Sequence, residues 1–371
     1  MHAKLIYIIA VLLLGWALSC CPDRETEILN TDDGPHVYWA DDSNAVVIYL
    51  CEDSLITQKY TVRDTLKFTG LCCDSTTQYI IPRTAPQIEP EIYDGVSRIY
   101  VVSDIHGEYE YLVDNLITNK IIDSNHNWIW GEGHLVIDGD VFDRGDMVTQ
   151  ALWLIYSLEQ QAAQAGGAVH FILGNHEIMV MQADIRYVND KYLDGICKKT
   201  RIKYEDLYGT YTELGRWLRA KNTAIKINDI LFVHGGIGPD LIDSGITMAR
   251  MNNIARYGLT LNSLQYSQDD SVKYIFKSYG PFWYRGYHYE MEDRYPQITE
   301  SQVDRELNYY QASALVVGHT EIDSLSGLYY NKIFAVDIPF DELNGLEGLL
   351  IENGKFYRVR VDGTRILLRE D

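Results

Sequence analysis

Three short apolar segments, each ending in a polar turn, alternate with two segments of helical periodicity between Arg98 and Asn175. The apolar segments are RIYVVSD, HLVIDGD and AVHFILGN, and the helical segments span Tyr109–Lys120 and Met147–Gln164. Short apolar runs are typical of buried strands, whereas apolar residues three and four positions apart are typical of helices. This alternation requires crossover connections, which make the strands parallel neighbours. We therefore expect an α/β domain over residues 96–371.

The second half of this domain predicts further strands. TAIKINDILFVHGG predicts a hairpin that turns at Asn228-Asp229, and ALVVGHT and KIFAVD predict two more strands. The final segment, GLLIENGKFYRVRVDGTRILL, has turn signals at Asn353-Gly354 and Asp362-Gly363 and predicts a C-terminal β-meander. Together with the first three strands, these segments predict a mixed α/β architecture.

Residues 36–95 precede the α/β domain and predict a β-rich N-terminal extension. The segments HVYWA, AVVIYL, KYTVRDTLKFTG and QYIIP are rich in β-branched and aromatic residues, and Asp, Ser, Asn and Gly separate them. This pattern fits either a small separate β appendage or extra strands laid on the main domain.

The first 20 residues have the composition of an export signal. Lys4 precedes an apolar run over residues 5–17, which is shorter than a membrane span but has the length of a signal-peptide core. Cys20, or alternatively Cys21, resembles the lipidated cysteine of a bacterial lipoprotein, and residues 21–35 follow as a polar tether. An ordinary cleaved signal or an uncleaved anchor is the alternative. We expect an exported bacterial protein, anchored to a membrane by lipid, in the periplasm or at the cell surface.

The charge balance limits the class of partner. The chain has 371 residues, with 53 acidic and 32 basic side chains and a formal net charge of −21. Such a surface repels nucleic acid at long range, so no nucleic-acid partner is expected. A phosphorylated substrate must instead be attracted locally, by metal ions or by a few arginines in a pocket.

Four cysteines follow the predicted signal: Cys51, Cys72, Cys73 and Cys197. Export permits disulfides, but four cysteines allow three full pairings and their spacing favours none of them. Cys72-Cys73 lacks the C-x2-C spacing of a metal site. We therefore interpret these cysteines as structural.

Polar turns follow five of the predicted strands, at the position where an open α/β sheet places its ligands. The turns are Asp104-Ile105-His106, Gly139-Asp140 with Asp143-Arg144-Gly145, Gly174-Asn175-His176-Glu177, His234-Gly235-Gly236 and Gly318-His319-Thr320. Each motif alone can occur by chance. Five motifs that follow strands at the same structural position, however, can together form one site. Carboxylate, imidazole and amide ligands together suit Mn, Fe or Zn better than purely oxygen-ligated Mg or Ca. Two such ions would give the site a net positive charge that attracts a phosphate dianion.

The motifs D-x-H, G-D-x-x-D-R-G, G-N-H-E, H-G-G and G-H-T, in this order, resemble those of the calcineurin-like metallophosphoesterases. Within that superfamily they are most similar to the phosphoprotein phosphatases, and specifically to the bacterial Shewanella-like branch. The resemblance covers residues 97–337. It implies a β-sandwich of two mixed sheets flanked by helices, and two divalent transition-metal ions per chain.

The resemblance also implies six metal ligands. The first ion would be bound by Asp104, His106 and Asp140, and Asp140 would bridge to a second ion completed by Asn175, His234 and His319.

The remaining polar residues of these motifs have implied roles in catalysis. By the resemblance, His176 is the general acid, Asp143 orients and charges it, and Arg144 holds phosphate. The residues fit these roles, because side chains of chain neighbours diverge and His176 can face the substrate while Asn175 faces a metal. Arg144 can fork onto two phosphate oxygens, although a salt bridge to a nearby aspartate is the alternative.

A second phosphate-binding arginine comes from the segment W-Y-R-G, which resembles the same branch and includes Arg285. The alternative is an aromatic surface loop with a solvated arginine. His170 and His288 are interpreted as a core residue and a loop residue instead of ligands. Residues 335–339 stand where the eukaryotic enzymes carry a tyrosine, so eukaryotic inhibitor sensitivity does not transfer.

The sequence therefore predicts a two-metal phosphomonoester hydrolase, specifically a Ser/Thr or Tyr phosphoprotein phosphatase. A metal-bridging hydroxide would be the nucleophile and a histidine the general acid. Hydrolysis of a dinucleoside polyphosphate or a phosphodiester is the second hypothesis. The third is a surface lipoprotein that binds a partner through its β-rich extension and only retains the phosphatase fold.

Overall fold

A computed structural model describes residues 30–72, 75–261, 263–292, 294–341 and 345–370. Cys20, Cys21 and the rest of the predicted signal lie outside these residues, as does Cys73. None of the helices in the described ranges combines the length and the apolar character needed to cross a bilayer.

The described residues form strands β1 Asp33–Asp41, β2 Asn44–Cys51, β3 Ser54–Thr61, β4 Thr65–Thr69, β5 Gln78–Pro82, β6 Ile92–Tyr93, β7 Arg98–Val102, β8 His134–Ile137, β9 Ala168–Phe171, β10 Ala224–Ile227, β11 Ile230–Val233, β12 Ala314–Val317, β13 Ser326–Leu328, β14 Ile333–Ala335, β15 Gly348–Glu352, β16 Lys355–Val359 and β17 Arg365–Glu370. The α-helices are α1 Tyr109–Thr118, α2 Val148–Gln164, α3 Asn175–Met181, α4 Asp190–Tyr192, α5 Lys198–Thr200, α6 Glu213–Arg219, α7 Pro239–Asp243, α8 Met248–Gly258, α9 Ser263–Gln268, α10 Asp270–Ile275 and α11 Glu300–Tyr310.

The first large sheet has the strand order β17-β16-β15-β7-β8-β9. Strands β7, β8 and β9 are parallel neighbours, as the alternation of strand and helix predicted. Strands β15, β16 and β17 form the predicted antiparallel meander, which joins the sheet through β7. Strands β7 to β9 are almost completely buried, because both faces of the sheet are covered.

The second large sheet has the order β13-β14-β12-β11-β10-β6. The predicted hairpin at Asn228-Asp229 joins β10 to β11. Strand β12 runs parallel to both β11 and β14. The carboxyl ends of β11, β12 and β14 therefore lie on one edge of this sheet.

The two large sheets pack face to face. Val101 and Val136 of the first sheet share a buried cluster with Phe232, Val316 and Phe334 of the second. A second cluster, between the first sheet and its helices, includes Tyr100, Leu135, Leu112 of α1 and Leu152 of α2. This arrangement is the predicted sandwich of two mixed sheets flanked by helices.

The N-terminal strands form two small antiparallel sheets, β1-β2-β3 and β4-β5. KYTVRDTLKFTG, predicted as one strand-like segment, is divided between β3 and β4. Strand β1 begins at Asp33, inside the predicted tether, because Asp33 pairs with Leu50 and its buried carboxylate lies 2.7 Å from the ring of His36. A disulfide joins Cys51 to Cys72.

These small sheets lie on the main domain, which decides between the two alternatives that the sequence left open. The indole N–H of Trp153 in α2 donates to the Pro35 carbonyl at 2.9 Å. The indole N–H of Trp39 donates to the carboxylate of Glu213 in α6 at 2.6 Å. Tyr79 of β5 contacts Trp153 edge to face, with 5.2 Å between ring centroids.

Helix α11 contains a buried carboxyl group that predicts a pH dependence of stability. Burial raises the pKa of Glu306 from 4.5 to about 8, although the hydroxyl of Tyr287 donates a hydrogen bond to it. Because this pKa is higher in the folded state, the folded state binds more protons between these two pH values. The free energy of unfolding should therefore decrease as pH rises from about 4.5 to about 8.

Glu306→Gln should remove that part of the pH dependence, since it keeps an acceptor for Tyr287 but cannot ionise. Urea denaturation at several pH values measures the effect, which should be on the order of a few kcal/mol. Glu300→Gln, an exposed change on the same helix, is the control and should keep the wild-type slope. Equal slopes in all three proteins would contradict the prediction.

Candidate metal centre

The five predicted turns meet at one end of the sandwich. The backbone N–H of Asp104, after β7, donates to the Gly139 carbonyl after β8 at 3.1 Å. The turn after β12 contacts both sheets, because Gly318 N–H donates to the His234 carbonyl at 2.8 Å and His319 N–H donates to the Asp104 carboxylate at 3.1 Å. The parallel directions of the strands bring these ends together, as the sequence predicted.

The site backbone is held in an unusual conformation. Six of its non-glycine residues have φ values between 49° and 72°, and they are Asp104, His106, Asp140, Asp143, Arg144 and His319. Side chains other than glycine seldom take positive φ, so the surrounding contacts must maintain it. A glycine is required at position 139 for two reasons. Its φ is 87°, and a Cβ there would lie only 2.6 Å from Nδ1 of His234.

Asp140 occupies the centre of the site. Its Oδ2 lies 3.2 Å from Nε2 of His234, 4.0 Å from Nε2 of His106 and 3.9 Å from Nε2 of His176. Its Oδ1 accepts the backbone N–H of His176 at 2.9 Å. The carboxylate therefore faces imidazoles on two sides, as a bridging ligand would.

Backbone carbonyls fix two of the imidazoles. Nδ1 of His106 lies 2.8 Å from the Phe142 carbonyl, and Nδ1 of His234 lies 2.6 Å from the Asp138 carbonyl. A carbonyl can only accept, so Nδ1 carries the proton in both rings and the lone pair of a neutral ring is on Nε2. Histidines that bind metals in proteins are commonly held in this way.

Potential ligand atoms form two groups that share Asp140. The atoms of Asp140, His106 and His176 lie within 4.8 Å of one another, and so do those of Asp140, His234 and His319. Nε2 of His319 is buried and has no hydrogen-bond partner among the described residues.

The other two predicted ligands border these groups. The amide oxygen of Asn175 lies 3.1 Å from Nε2 of His234. Oδ2 of Asp104 accepts the Ser103 hydroxyl at 2.6 Å. The residues present, all nitrogen and oxygen donors, fit two divalent metal ions.

The buried carboxylates also favour cations here. The pKa of Asp104 is raised to about 7, because burial and the charge of Asp140 outweigh the lowering effects of His234 and Ser103. Burial raises the pKa of Asp138 well above its ordinary value. Burial acts in the same direction on Asp140, but the neighbouring histidines outweigh it and hold its pKa below the ordinary value. Divalent cations would neutralise this excess of buried negative charge.

His176 differs from the other histidines of the site in what holds it. Its Nδ1 lies 2.6 Å from Oδ2 of Asp143, a carboxylate instead of a carbonyl. Burial lowers the pKa of His176, but the charge of Asp140 and the hydrogen bond to Asp143 outweigh it and raise the pKa. Burial lowers the pKa of His106 to about 3, which favours a neutral ring. Its carboxylate partner therefore suits His176 to proton transfer, and the carbonyl partner of His106 suits that ring to metal binding, although both lie in the same group of potential ligand atoms.

The two predicted phosphate-binding arginines both reach the site. Arg144 lines a cavity of about 380 Å³ together with Asp104 and His106, and its guanidinium has no ion pair among the described residues. Arg285 is partly buried, and its Nη1 donates to the His319 carbonyl at 2.7 Å. Arg285 is therefore not the solvated loop arginine of the alternative interpretation.

Glu177 organises the site, although no role was predicted for it beyond its place in the motif G-N-H-E. Its buried carboxylate accepts four backbone N–H groups, those of Gly174, Asp140, Val141 and Phe142, at 2.7 to 3.2 Å. It therefore joins the turn after β9 to the turn after β8. Its position three residues after Gly174, as in a capping box, is a signal that could have identified it.

Asp337 was also missed. It follows β14, lies on the same sheet edge as His234 and His319, and lines the cavity that contains Asp104. Its place after a buried strand, as for the other site aspartates, could have identified it. Of the histidines interpreted as non-ligands, His170 pairs with His134 at 2.9 Å between β9 and β8.

Comparison with known proteins identifies the class. The family model described as calcineurin-like phosphoesterase matches residues 97–322. The chain therefore belongs to this family of metallophosphoesterases, whose members hold two metal ions in a dinuclear site. It is a metal-dependent phosphoesterase hydrolase.

Several of the similar proteins are named as phosphatases. "Shewanella-like protein phosphatase 1" of Plasmodium berghei is 29% identical over 254 residues, which are 66% of this chain and 68% of that one. The crystal structure of the cold-active protein tyrosine phosphatase of a psychrophilic Shewanella species is 38% identical, with a TM-score of 0.83 over 91% of this chain and 99% of that one. A protein serine/threonine phosphatase of Saccharomyces cerevisiae shares the fold, with 16% identity and a TM-score of 0.51 over 72% and 78% of the two chains.

Glu177→Gln tests how much the site depends on this carboxylate. The amide keeps one acceptor oxygen but turns an NH2 group toward backbone N–H donors, which should loosen the turns that carry Asp140 and Asn175. We expect Mn²⁺ to bind about 10- to 100-fold more weakly, as is usual when a group supporting metal ligands is changed. Titration calorimetry measures the affinity, and Glu110→Gln, exposed on α1, is the control. Unchanged Mn²⁺ affinity would show that Glu177 does not shape the site.

Proposed function

We propose that this protein is a two-metal phosphomonoester hydrolase that removes phosphate from Ser/Thr or Tyr residues of phosphoproteins. The observation that carries the proposal is the pair of ligand groups sharing Asp140, next to a histidine held by a carboxylate and within reach of two arginines. This combination suits transfer of a phosphoryl group, which requires neutralisation of several oxygens at once.

We propose that Asp104, His106 and Asp140 hold one ion, and that Asp140, Asn175, His234 and His319 hold the other. The mixed imidazole, carboxylate and amide donors favour Mn, Fe or Zn. When bound, the two ions would supply Lewis acidity toward the phosphoryl oxygens and an activated water.

In this proposal His176 is the general acid. Asp143 holds its Nδ1 at 2.6 Å, so Nε2 is the atom that can give a proton to the departing oxygen. The hydrogen bond to Asp143 and the nearby charge of Asp140 raise the pKa of His176, which favours the protonated ring. Asp143 is nearly inaccessible to solvent, which keeps the pair in one orientation.

Arg144 and Arg285 are proposed to hold the non-reacting phosphate oxygens. Arg144 is exposed at the cavity and can fork onto two oxygens, whereas Arg285 is held beside His319. Local cations of this kind are necessary in a chain with a net charge of −21, because its surface otherwise repels a phosphate dianion.

Phosphoproteins are the proposed substrate class because two similar proteins, at 29% and 38% identity, are named as protein phosphatases. The place of action is proposed from the sequence alone, which predicts export and lipid attachment at Cys20 or Cys21. A phosphorylated substrate outside the cytoplasm would therefore be expected.

Substitutions in the site separate metal binding from proton transfer. Asp140→Asn and His106→Ala should each lower metal content and abolish hydrolysis of p-nitrophenyl phosphate. His176→Asn should retain both ions but lower kcat about 10²- to 10⁴-fold. Metal analysis and steady-state kinetics measure these effects, with the exposed Asp114→Asn as control. Full activity of Asp140→Asn would refute the proposal, and loss of metal from His176→Asn would make His176 a ligand.

The substrate class requires a parallel assay. The wild-type protein loaded with Mn²⁺ should hydrolyse phosphoserine, phosphothreonine or phosphotyrosine peptides with a higher kcat/KM than diadenosine tetraphosphate or bis-p-nitrophenyl phosphate. The reverse order would favour a dinucleoside polyphosphate or phosphodiester hydrolase. Absence of turnover on all of these substrates, with both ions bound, would favour a binding protein that retains only the fold.

A further inference from the structure

Tyr287 lies between two loops of the site. The first, residues 234–237, is called the ligand loop because it begins with His234. The second, residues 281–287, is called the clamp loop because it carries Arg285. Tyr287 is 1% exposed, and a Cβ at Gly236 would lie 2.4 Å from its ring, so its ring packs directly on the ligand loop.

Hydrogen bonds join the two loops at both ends. At one end, the Pro281 carbonyl accepts the backbone N–H groups of Gly235 at 2.7 Å and Gly236 at 3.2 Å. At the other end, the Tyr287 hydroxyl accepts the backbone N–H of Ile237 at 3.0 Å. The contact through Tyr287 is the one that depends on a side chain, and it can therefore be removed by substitution.

Glu306 of α11 orients the Tyr287 hydroxyl. The hydroxyl donates to Oε1 of Glu306 at 2.6 Å. A hydroxyl has one proton, and Glu306 is a much nearer acceptor than the Ile237 carbonyl at 3.3 Å. Donation to Glu306 therefore leaves a lone pair for Ile237 N–H. Tyr329 also donates to the backbone carbonyl of Tyr287 at 3.0 Å, which fixes the end of the clamp loop.

Arg285 is two residues before Tyr287, and its Nη1 donates to the His319 carbonyl. The position of its guanidinium relative to His234 and His319 therefore depends on how the clamp loop is held. We propose that Tyr287, oriented by Glu306, is a positioning residue for phosphate binding, which fixes Arg285 relative to the ligands of the second metal. This inference rests on the proposed function.

The chain offers a matched control in Tyr284. It lies in the same clamp loop and is also 1% exposed, but its hydroxyl has no hydrogen-bond partner among the described residues. Tyr287→Phe and Tyr284→Phe therefore remove the same atom from equally buried rings. Only Tyr287→Phe breaks the contacts with Ile237 and Glu306.

The test uses the full chain loaded with Mn²⁺. Tyr287→Phe should keep two ions per chain but bind inorganic phosphate about tenfold more weakly, with a similar decrease in kcat/KM for p-nitrophenyl phosphate, because small displacements of positioning groups are costly. Tyr284→Phe should match the wild type in both measurements. Calorimetry measures phosphate binding independently of turnover.

A double-mutant cycle shows whether Tyr287 acts through Arg285. Arg285→Ala alone should weaken phosphate binding, and adding Tyr287→Phe should then cause little further loss. Full additivity of the two losses would overturn the inference, as would equal phosphate affinity of Tyr287→Phe and wild type. If Tyr287 had a purely structural role, Tyr287→Phe would lower the thermal midpoint of the wild type and of Arg285→Ala alike, and the two losses of phosphate affinity would not be coupled. That result would also overturn the inference.

Failure of the inference can be told from failure of the proposed function. If wild-type protein hydrolyses p-nitrophenyl phosphate and Tyr287→Phe is indistinguishable from it, only the positioning role is wrong. If metal-loaded wild type neither binds phosphate nor hydrolyses the ester, the proposed function is wrong and the inference falls with it.

Discussion

The burial of several carboxyl groups at one point is the constraint on which this structure depends. Asp104, Asp138 and Asp140 lie at the ends of β7 and β8 and are at most 4% exposed. Burying carboxylates together is unfavourable unless cations or hydrogen-bond donors compensate. The imidazoles of His106 and His234 and the two proposed ions provide that compensation. A site of this kind is therefore incomplete as a purely protein structure and favours binding of divalent metal.

The sandwich fold makes this concentration of charge possible. Parallel strands of both sheets end on the same edge, so short turns supply every proposed ligand without long loops. The turns are held in left-handed backbone conformations that non-glycine residues avoid. The core between the sheets, with residues such as Val101 and Phe232, and the carboxylate of Glu177 offset this strain. Rigidity of the scaffold thus fixes the positions of groups that would otherwise repel one another.

Electrostatics divides the molecule into two regions. The surface as a whole is acidic, whereas the two proposed ions, Arg144 and Arg285 would make the catalytic cleft cationic. A phosphate group would therefore be held only where all of these groups converge. The histidines follow a similar division, since carbonyls hold two of the three rings proposed as ligands, His106 and His234, and a carboxylate holds the ring proposed as the acid.

The sequence alone determined that the first three strands are parallel neighbours and which residues end the strands, because apolar periodicity and short motifs are local properties. It also predicted Arg285 as a site residue, through the resemblance of the W-Y-R-G segment, and the structure places this residue beside His319. Only the tertiary structure showed that the N-terminal strands lie on α2 and α6, that Cys51 pairs with Cys72, and that Tyr287 joins two loops to α11. These features depend on contacts between residues far apart in the chain. No local pattern encodes such contacts, since they arise from the way the packed elements meet.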